Sequence, residues 1–403
     1  MKRFYQPFKG TSQQLKILIP TIFLSLFGLL MMYSAGSYRG LQDYNDAFYY
    51  VKKQALAFGV GLVFMLILRK VKVEKLKKLA IPSLIISLFV LGIIFIPGIG
   101  VESYGAKRWI DLGITTVQPS EIAKFGYVLF CSWILSKHGT KSLKGVFAIL
   151  GSGLAICLLI MLEPNMSITL CVGAIMIMFL IYGGIKGKNL LLFSLPILVA
   201  IPILIFAEPY RMQRIMAFID PWQSPKGEGY QLVQSYYALG SGGFFGVGLF
   251  NSRQKYMFLP FAESDFIFSI IGEELGFVGC VAIISIFAYL FYQGYKVALR
   301  AEDRYSSALA FGITSVMAVQ TLFNVAVVTG SVPPTGLPLP FISYGGSSLV
   351  CFMSAVGILT SIAGQNCREK TLLLKEIQGG NESGLHRNKR GKSSKRRNSL
   401  RDV

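Results

Sequence analysis

The sequence predicts an all-α integral membrane protein with about ten transmembrane helices and large loops on its outer face. Three observations carry that expectation. The 403 residues are 53% hydrophobic and 15% charged, and a mean hydropathy of +0.55 leaves too little polar surface to wet a soluble domain. Apolar windows of spanning length recur near 16–35, 53–69, 79–97, 120–136, 145–163, 168–185, 189–207, 266–292, 306–330 and 347–364. The formal charge of +20 is spread unevenly over the segments between them.

With the amino terminus placed inside and the windows crossing alternately, lysine and arginine collect on the inner side. They cluster before residue 16, in the Arg69–Lys78 loop, around Lys137, Lys186 and Lys296, and in the tail. Carboxylates favour the other side. The excess positive charge therefore reads as an orientation signal and not as a nucleic-acid footprint. The first window is too long for a cleaved signal peptide and leads into further spans, so it reads as a retained anchor.

The chain divides into an inner N-terminus (1–15), a polytopic membrane domain (16–365) with a long outer loop (208–265), and a basic tail (366–403). The tail's run Arg387–Arg401 is polar and expected to be disordered, resting on anionic lipid. Inner loops are too short to house an ATPase, which leaves chemistry to the outer face or the bilayer. The outer loops are 98–119, 208–265 and 330–346. The last has no charge and is dense in proline and glycine, an irregular backbone tolerated only inside protein or along a cavity. In the long loop, Tyr230, Val233 and Tyr237 share a helical face, which suggests an amphipathic helix at the membrane interface. The glycines that follow do not fit a dinucleotide fingerprint. Cys131, Cys157, Cys171, Cys280 and Cys351 lie in apolar windows and Cys367 starts the tail, so no outer disulfide framework is expected. No internal repeat is visible.

The two histidines, His138 and His386, both fall inside. Outer-face proton transfer then belongs to a carboxylate: Glu102, Asp111, Glu121, Glu163, Glu208, Asp220, Glu228, Glu263 or Asp265, with Glu273 and Glu274 inside a span. Asp43 and Asp46 sit in an ordinary loop. Asp265 opens a helix, where it suits either a cap or a catalyst, and it faces a loop bearing Arg211, Arg214, Arg253 and Lys255. Glu273 and Glu274 lie about 12 to 13 Å further along the helix. Each costs roughly 2.5 to 3.5 kcal/mol near mid-membrane, so they call for a polar cavity or a basic partner. Gln118-Pro-Ser-Glu-Ile-Ala-Lys124 starts a helix and places Glu121 and Lys124 on one face. Glu163-Pro-Asn makes a tight turn that also presents a carboxylate.

Seven stretches then run in order: GAKRWIDLG (105–113), QPSEIAK (118–124), RMQRIMAFIDPW (211–222), GEGYQLVQSYYALGSGGFFGVGL (227–249), SRQKYMFLP (252–260), SDFIFSIIGEELG (264–276) and TGLPLPFISYGGSSL (335–349). Together they resemble the SEDS family (shape, elongation, division and sporulation), and the Ser-Arg-Gln-Lys and Asp-Pro-Trp runs resemble its FtsW-like branch. The resemblance implies a ten-span peptidoglycan glycosyltransferase that polymerises lipid II on the outer leaflet beside a class B penicillin-binding protein and other divisome proteins. It implies that Asp265 holds the family's essential aspartate position, with Glu121 and Lys124 lining a central cavity and Arg108, Arg211 and Arg214 in matching motifs. Two departures stand out. Where the family commonly reads Leu-Pro-Glu-Ala-His-Thr-Asp, this chain has Phe261 for the glutamate and Glu263 for the histidine; Asn165 stands where an aspartate is usual.

On this reading Asp265 is the general base toward an acceptor sugar hydroxyl. Arg211, Arg214, Arg253, Lys255 and Lys124 are candidates for the pyrophosphate charge, with a divalent cation, magnesium or manganese, as a candidate supplement. Glu273 or Glu274 would shape the cavity beneath. The rivals are a lipid II flippase, since intramembrane charges also mark translocation paths, and a non-enzymatic scaffold for division proteins.

Overall fold

The computed structural model describes residues 10–103, 106–111, 113, 116–139, 142–206 and 209–365. Most of the N-terminal segment, Glu208 and the basic tail with Cys367 and His386 lie outside the described residues.

A helix covers each of the ten apolar windows. These are α1 (Gly10–Tyr44), α2 (Tyr49–Leu68), α4 (Ala80–Ile93), α5 (Pro119–Lys137), α6 (Leu143–Leu162), α7 (Met166–Tyr182), α8 (Gly187–Phe206), α11 (Ile267–Arg300), α12 (Arg304–Val328) and α13 (Gly346–Gln365), with a short α3 (Val73–Lys78) leading into α4. Among the described residues six helices are long and apolar enough to cross a membrane, while α4 and α7 are shorter apolar helices. Local chemistry sets several starts. Pro119 opens α5 with Glu121 in its first turn, Asn165 accepts from the Ile168 amide at 3.4 Å to cap α7, and Asp303 accepts from the amides of Tyr305 and Ser306 to cap α12.

Helices α12 and α13 form the centre: 72% of each apolar window is buried, against 17% for α2, which faces outward. Helix α5 packs against α12, α4 and α7. Close approach of α2 and α13 depends on glycine, since a Cβ on Gly61 would meet the Met353 side chain and one on Gly357 the Met65 backbone.

Three findings differ from the sequence expectations. First, α1 has 35 residues, about 52 Å of helix, and runs well beyond its apolar window, so that Arg39 and Asp43 stand over the neighbouring loops. Second, the segment 98–119 contains a three-stranded antiparallel sheet, β1 (Gly100–Ser103), β2 (Ala106–Asp111) and β3 (Thr116–Val117) in that order. Third, α11 is not one continuous rod: Gly276 has φ +67° and ψ −168° and breaks it. The break frees the carbonyls of Glu273 and Glu274 to accept from Val247 and Gly248, while Phe277 and Val278 donate back to Gly243 and Phe244. The glycine-rich run thus serves to let a loop lie against the broken helix, and a Cβ on Gly246 would collide with the Glu274 carbonyl.

Helix α10 (Tyr230–Gly242) forms where the amphipathic segment was expected, but it packs against α11. Its buried residues are Leu232, Val233, Ser235, Ala238 and Gly242, and Ser235 binds Ser269 and the Val328 carbonyl at 2.8 Å each. Of the expected face, Val233 is buried but Tyr237 points out and meets Trp222 edge-on. Adjacent buried hydroxyls and small residues make a better seam against α11 than the tyrosines.

Candidate active site

The carboxylates expected as candidates separate by what surrounds them. Asp111 accepts from the Gly113 amide, and Asp220 caps the turn at Pro221–Gln223. Glu102 lies on β1, and Glu228 is exposed. Glu121 and Lys124 form a fully buried ion pair at 2.8 Å. Lys124 also donates to Gln320 at 2.5 Å, and Ser348 donates to Glu121 at 3.2 Å. These two do not line an open cavity, because their charges are spent on each other and on α12 and α13.

Glu273 and Glu274 are likewise enclosed. Glu273 accepts from the Ser252 hydroxyl and from the amides of Arg253 (2.9 Å) and Gln254 (3.4 Å). Glu274 accepts from Ser34 at 2.5 Å, from the Ser252 amide at 3.2 Å and from Lys255 at 3.3 Å. Lys255 is itself buried and donates to the Phe250 carbonyl. Of the two readings open for this pair, a polar cavity or a basic partner, the geometry favours the second, extended by backbone amides that pin the 251–256 loop. Lys255 is not presented to an anionic ligand, whereas the Arg253 side chain is exposed.

Asp265 has the opposite surroundings. It does not cap α11, whose N-cap is Phe266 without a side-chain bond, and that removes the cap reading. Among the described residues its carboxylate has no hydrogen-bond partner, and the residue remains partly exposed. Its backbone is held firmly. The carbonyls of Glu263, Ser264 and Asp265 accept in turn from the Tyr344 amide (2.9 Å), the Ser343 hydroxyl (2.6 Å) and Asn324 (2.8 Å). Asn324 also holds the Leu337 carbonyl, and Gln320, one turn earlier on α12, holds that of Pro338. The uncharged proline-rich loop is therefore threaded between α12 and the Asp265 loop, with Leu337, Leu339, Phe341 and Ile342 buried, as irregular backbone at that depth requires. Gly336, at φ +73°, lies so close that a Cβ there would stand 3.2 Å from the Asp265 Oδ2.

Burial pushes the Asp265 carboxyl up to about 6; the Glu263 charge adds to the rise, and Arg214 and Arg108 oppose it. Arg214, on α9 (Pro209–Ile219), is exposed, and Arg211 on the same helix is buried. Arg108, on β2, donates to the backbone carbonyls of Glu163 and Pro164, tying the sheet to the α6–α7 turn. The Glu163 carboxyl is buried there with no hydrogen-bond partner among the described residues, and burial pushes it up to about 8 against the pull of Arg108.

The residues that depart from the expected motif share one partner. Arg39 donates to Glu263 at 2.7 Å and to Asp43 at 3.2 Å, and its guanidinium sits 5.3 Å from the centre of the Phe261 ring. Sequence reasoning missed Arg39 because it lies beyond the apolar window of α1. It also missed Gln320 and Asn324, although two amides at i and i+4 inside a span were a usable signal. Among the described residues no three His, Cys, Asp or Glu side chains converge on one point.

The family model described as cell cycle protein, covering FtsW, RodA and SpoVE, matches residues 14–368. A probable peptidoglycan glycosyltransferase FtsW from a Geobacter species is 40% identical over 86% of this chain and 95% of its own length. Stage V sporulation protein E of Bacillus subtilis is 38% identical over 88% and 98%. A chain from a peptidoglycan synthase complex that coordinates polymerization and crosslinking superposes with a TM-score of 0.72 at 25% identity, covering 87% of this chain and 97% of that one. The rod shape determining protein RodA of Thermus thermophilus shares the fold at a TM-score of 0.62, 24% identity and 85% and 95% coverage. The chain belongs to the FtsW/RodA/SpoVE cell cycle protein family.

Proposed function

We propose that this membrane protein is a peptidoglycan glycosyltransferase of cell division that polymerises lipid II, with Asp265 as its general base. The observation that carries the reading is the contrast at Asp265 itself: a rigidly anchored backbone presents a carboxylate with no hydrogen-bond partner among the described residues. A group so placed accepts a proton without first breaking a bond. With its carboxyl at about 6, it is ionised at neutral pH yet more basic than a solvated aspartate.

In the proposed step an acceptor sugar hydroxyl attacks the donor's anomeric carbon. The new glycosidic bond forms as the bond to the lipid pyrophosphate breaks, and the hydroxyl proton passes to Asp265. Arg108 and Arg214, whose charges reach Asp265, offset the charge on the departing pyrophosphate, with Arg211 and the exposed Arg253 as further cations. No step is assigned to a magnesium or manganese ion, since among the described residues no three His, Cys, Asp or Glu side chains converge to hold one. Lys124, Glu121, Lys255, Glu273 and Glu274 support the site through packing and ion pairing.

The site faces the outer leaflet and both termini face the cytoplasm in a ten-crossing topology, as the basic inner segments favour. A class B penicillin-binding protein is the partner that would cross-link the strands. A lipid II flippase is less well supported, because the intramembrane charges that would mark its path are enclosed by their own partners. Polymer formation from labelled lipid II by the purified protein with its class B partner tests the reading. Wild type makes glycan strands and Asp265→Asn makes none while still binding lipid II; lipid transfer across liposomes without polymer under any partner or metal condition would replace it with the flippase.

A further inference from the structure

At the end of the bundle opposite Asp265 there is a half-open pocket of about 700 Å³, bordered by the start of α1, the α2–α3 turn and the end of α13. The 20-residue α2 separates it from the Tyr50 end of the bundle by about 30 Å, the thickness of a bilayer core. Arg69, Lys70 and Lys72 line it together with Gln14, Glu74 and Gln365.

The lining is built, not a scatter of surface lysines. Ser361, on α13, is buried and donates to the Val71 carbonyl at 2.5 Å, which ties the basic turn down. Gln365 reaches the same carbonyl and accepts from the Val73 amide, both at 3.5 Å. Arg69 gives one guanidinium nitrogen to Gln14 at 2.6 Å, which orients the remaining donors. Among the described residues no carboxylate forms a salt bridge with Arg69, Lys70 or Lys72. Residues 1–9 contain no acid, and the tail, although it holds Glu369, Glu376, Glu382 and Asp402, carries a clear excess of lysine and arginine. The net positive charge of the tail favours a lipid anion over the tail as the occupant.

We infer that this cavity binds the phosphate group of an acidic phospholipid of the adjoining leaflet. Arginine supplies donors to the phosphate oxygens, and two lysines supply point charge. The exposed apolar flank of α2, including Leu66 and Ile67, would take the acyl chains.

Native mass spectrometry of the full chain in detergent tests this, with phosphatidylglycerol, phosphatidylcholine or millimolar inorganic phosphate added. Wild type is expected to retain phosphatidylglycerol about tenfold over phosphatidylcholine. The triple variant Arg69→Gln, Lys70→Gln, Lys72→Gln loses that preference, and Lys72→Gln alone, at an exposed position, reduces it without a folding defect. Lys186→Gln with Lys188→Gln, which removes two exposed charges elsewhere at the same end of the bundle, leaves it intact. Displacement of the lipid by inorganic phosphate would keep the phosphate site but name the free anion as an alternative source. Equal preference in wild type and the triple variant, or equal loss on neutralising Lys186 and Lys188, would overturn the site and leave these charges with an orienting role only.

Discussion

Two acidic centres lie within ten residues of one another and behave oppositely. At Glu273 and Glu274 both carboxylates are buried and accept from serine hydroxyls, loop amides and Lys255. At Asp265 the backbone is the fastened part, and among the described residues the carboxylate has no hydrogen-bond partner. A carboxylate bonded to several donors, as Glu274 is through Oε1, fixes structure, whereas one held by its backbone but not by its side chain is available for proton transfer. The hydrogen-bond partners that each carboxylate meets separate the two cases.

The largest effect is expected where the two centres are exchanged. Asp265→Asn should lower polymerisation by about 10² to 10⁴ with thermal stability unchanged. Lys255→Met, which strands Glu274, should cost about 3–5 kcal/mol of stability, read as a lowered unfolding midpoint. A destabilised Asp265→Asn, or an unaltered Lys255→Met, would break the comparison. Lys124→Met should behave like Lys255→Met, because it leaves Glu121 buried with only Ser348 beside it.

A smaller effect concerns pH. Since the base works deprotonated and its carboxyl sits at about 6, polymerisation should rise as pH increases through about 6 and level off above it. Glu263→Gln removes a negative charge that raises the Asp265 carboxyl, so the midpoint of this rise should move to lower pH. An unmoved midpoint would show that Arg39 already neutralises Glu263 as Asp265 senses it.

The smallest effect is at Glu163. Its folded-state carboxyl is raised by burial to about 8 from an ordinary 4.5. The folded chain therefore holds a proton that the unfolded chain releases, and the associated stability, full below about 4.5, is lost as pH rises through about 8. Glu163→Gln should flatten that decline in thermal unfolding measured across the same range.

Much of the architecture was legible beforehand. Ten apolar windows each coincide with a helix, and the proline-rich loop lies buried as its lack of charge required. The failures are specific. The extension of α1 to Tyr44 was invisible because its last two turns are polar and gain their partners from Glu263 and the 261–263 loop. The break at Gly276 was hidden because glycine within an apolar run looks like any helix-packing glycine until the loop that occupies the break is known. Glu121 and Lys124 were correctly paired by their i, i+3 spacing, but the spacing could not tell whether that face met solvent or Gln320 and Ser348.

Composition and hydrophobic periodicity determined by themselves that the chain enters a membrane, where its helices lie and which segments gather positive charge, because each depends only on residues close in sequence and on the cost of placing them in lipid. Tertiary structure alone decided how the Asp265 and Glu274 groups are held. The backbone of Ser264 and Asp265 is held by Ser343 and Asn324, and the Glu274 carboxylate by Ser34 and Lys255, partners from 19 to 240 residues away. The state of a buried carboxylate is set by the donors within about 3 Å of it, and sequence spacing does not report which donors the fold brings there.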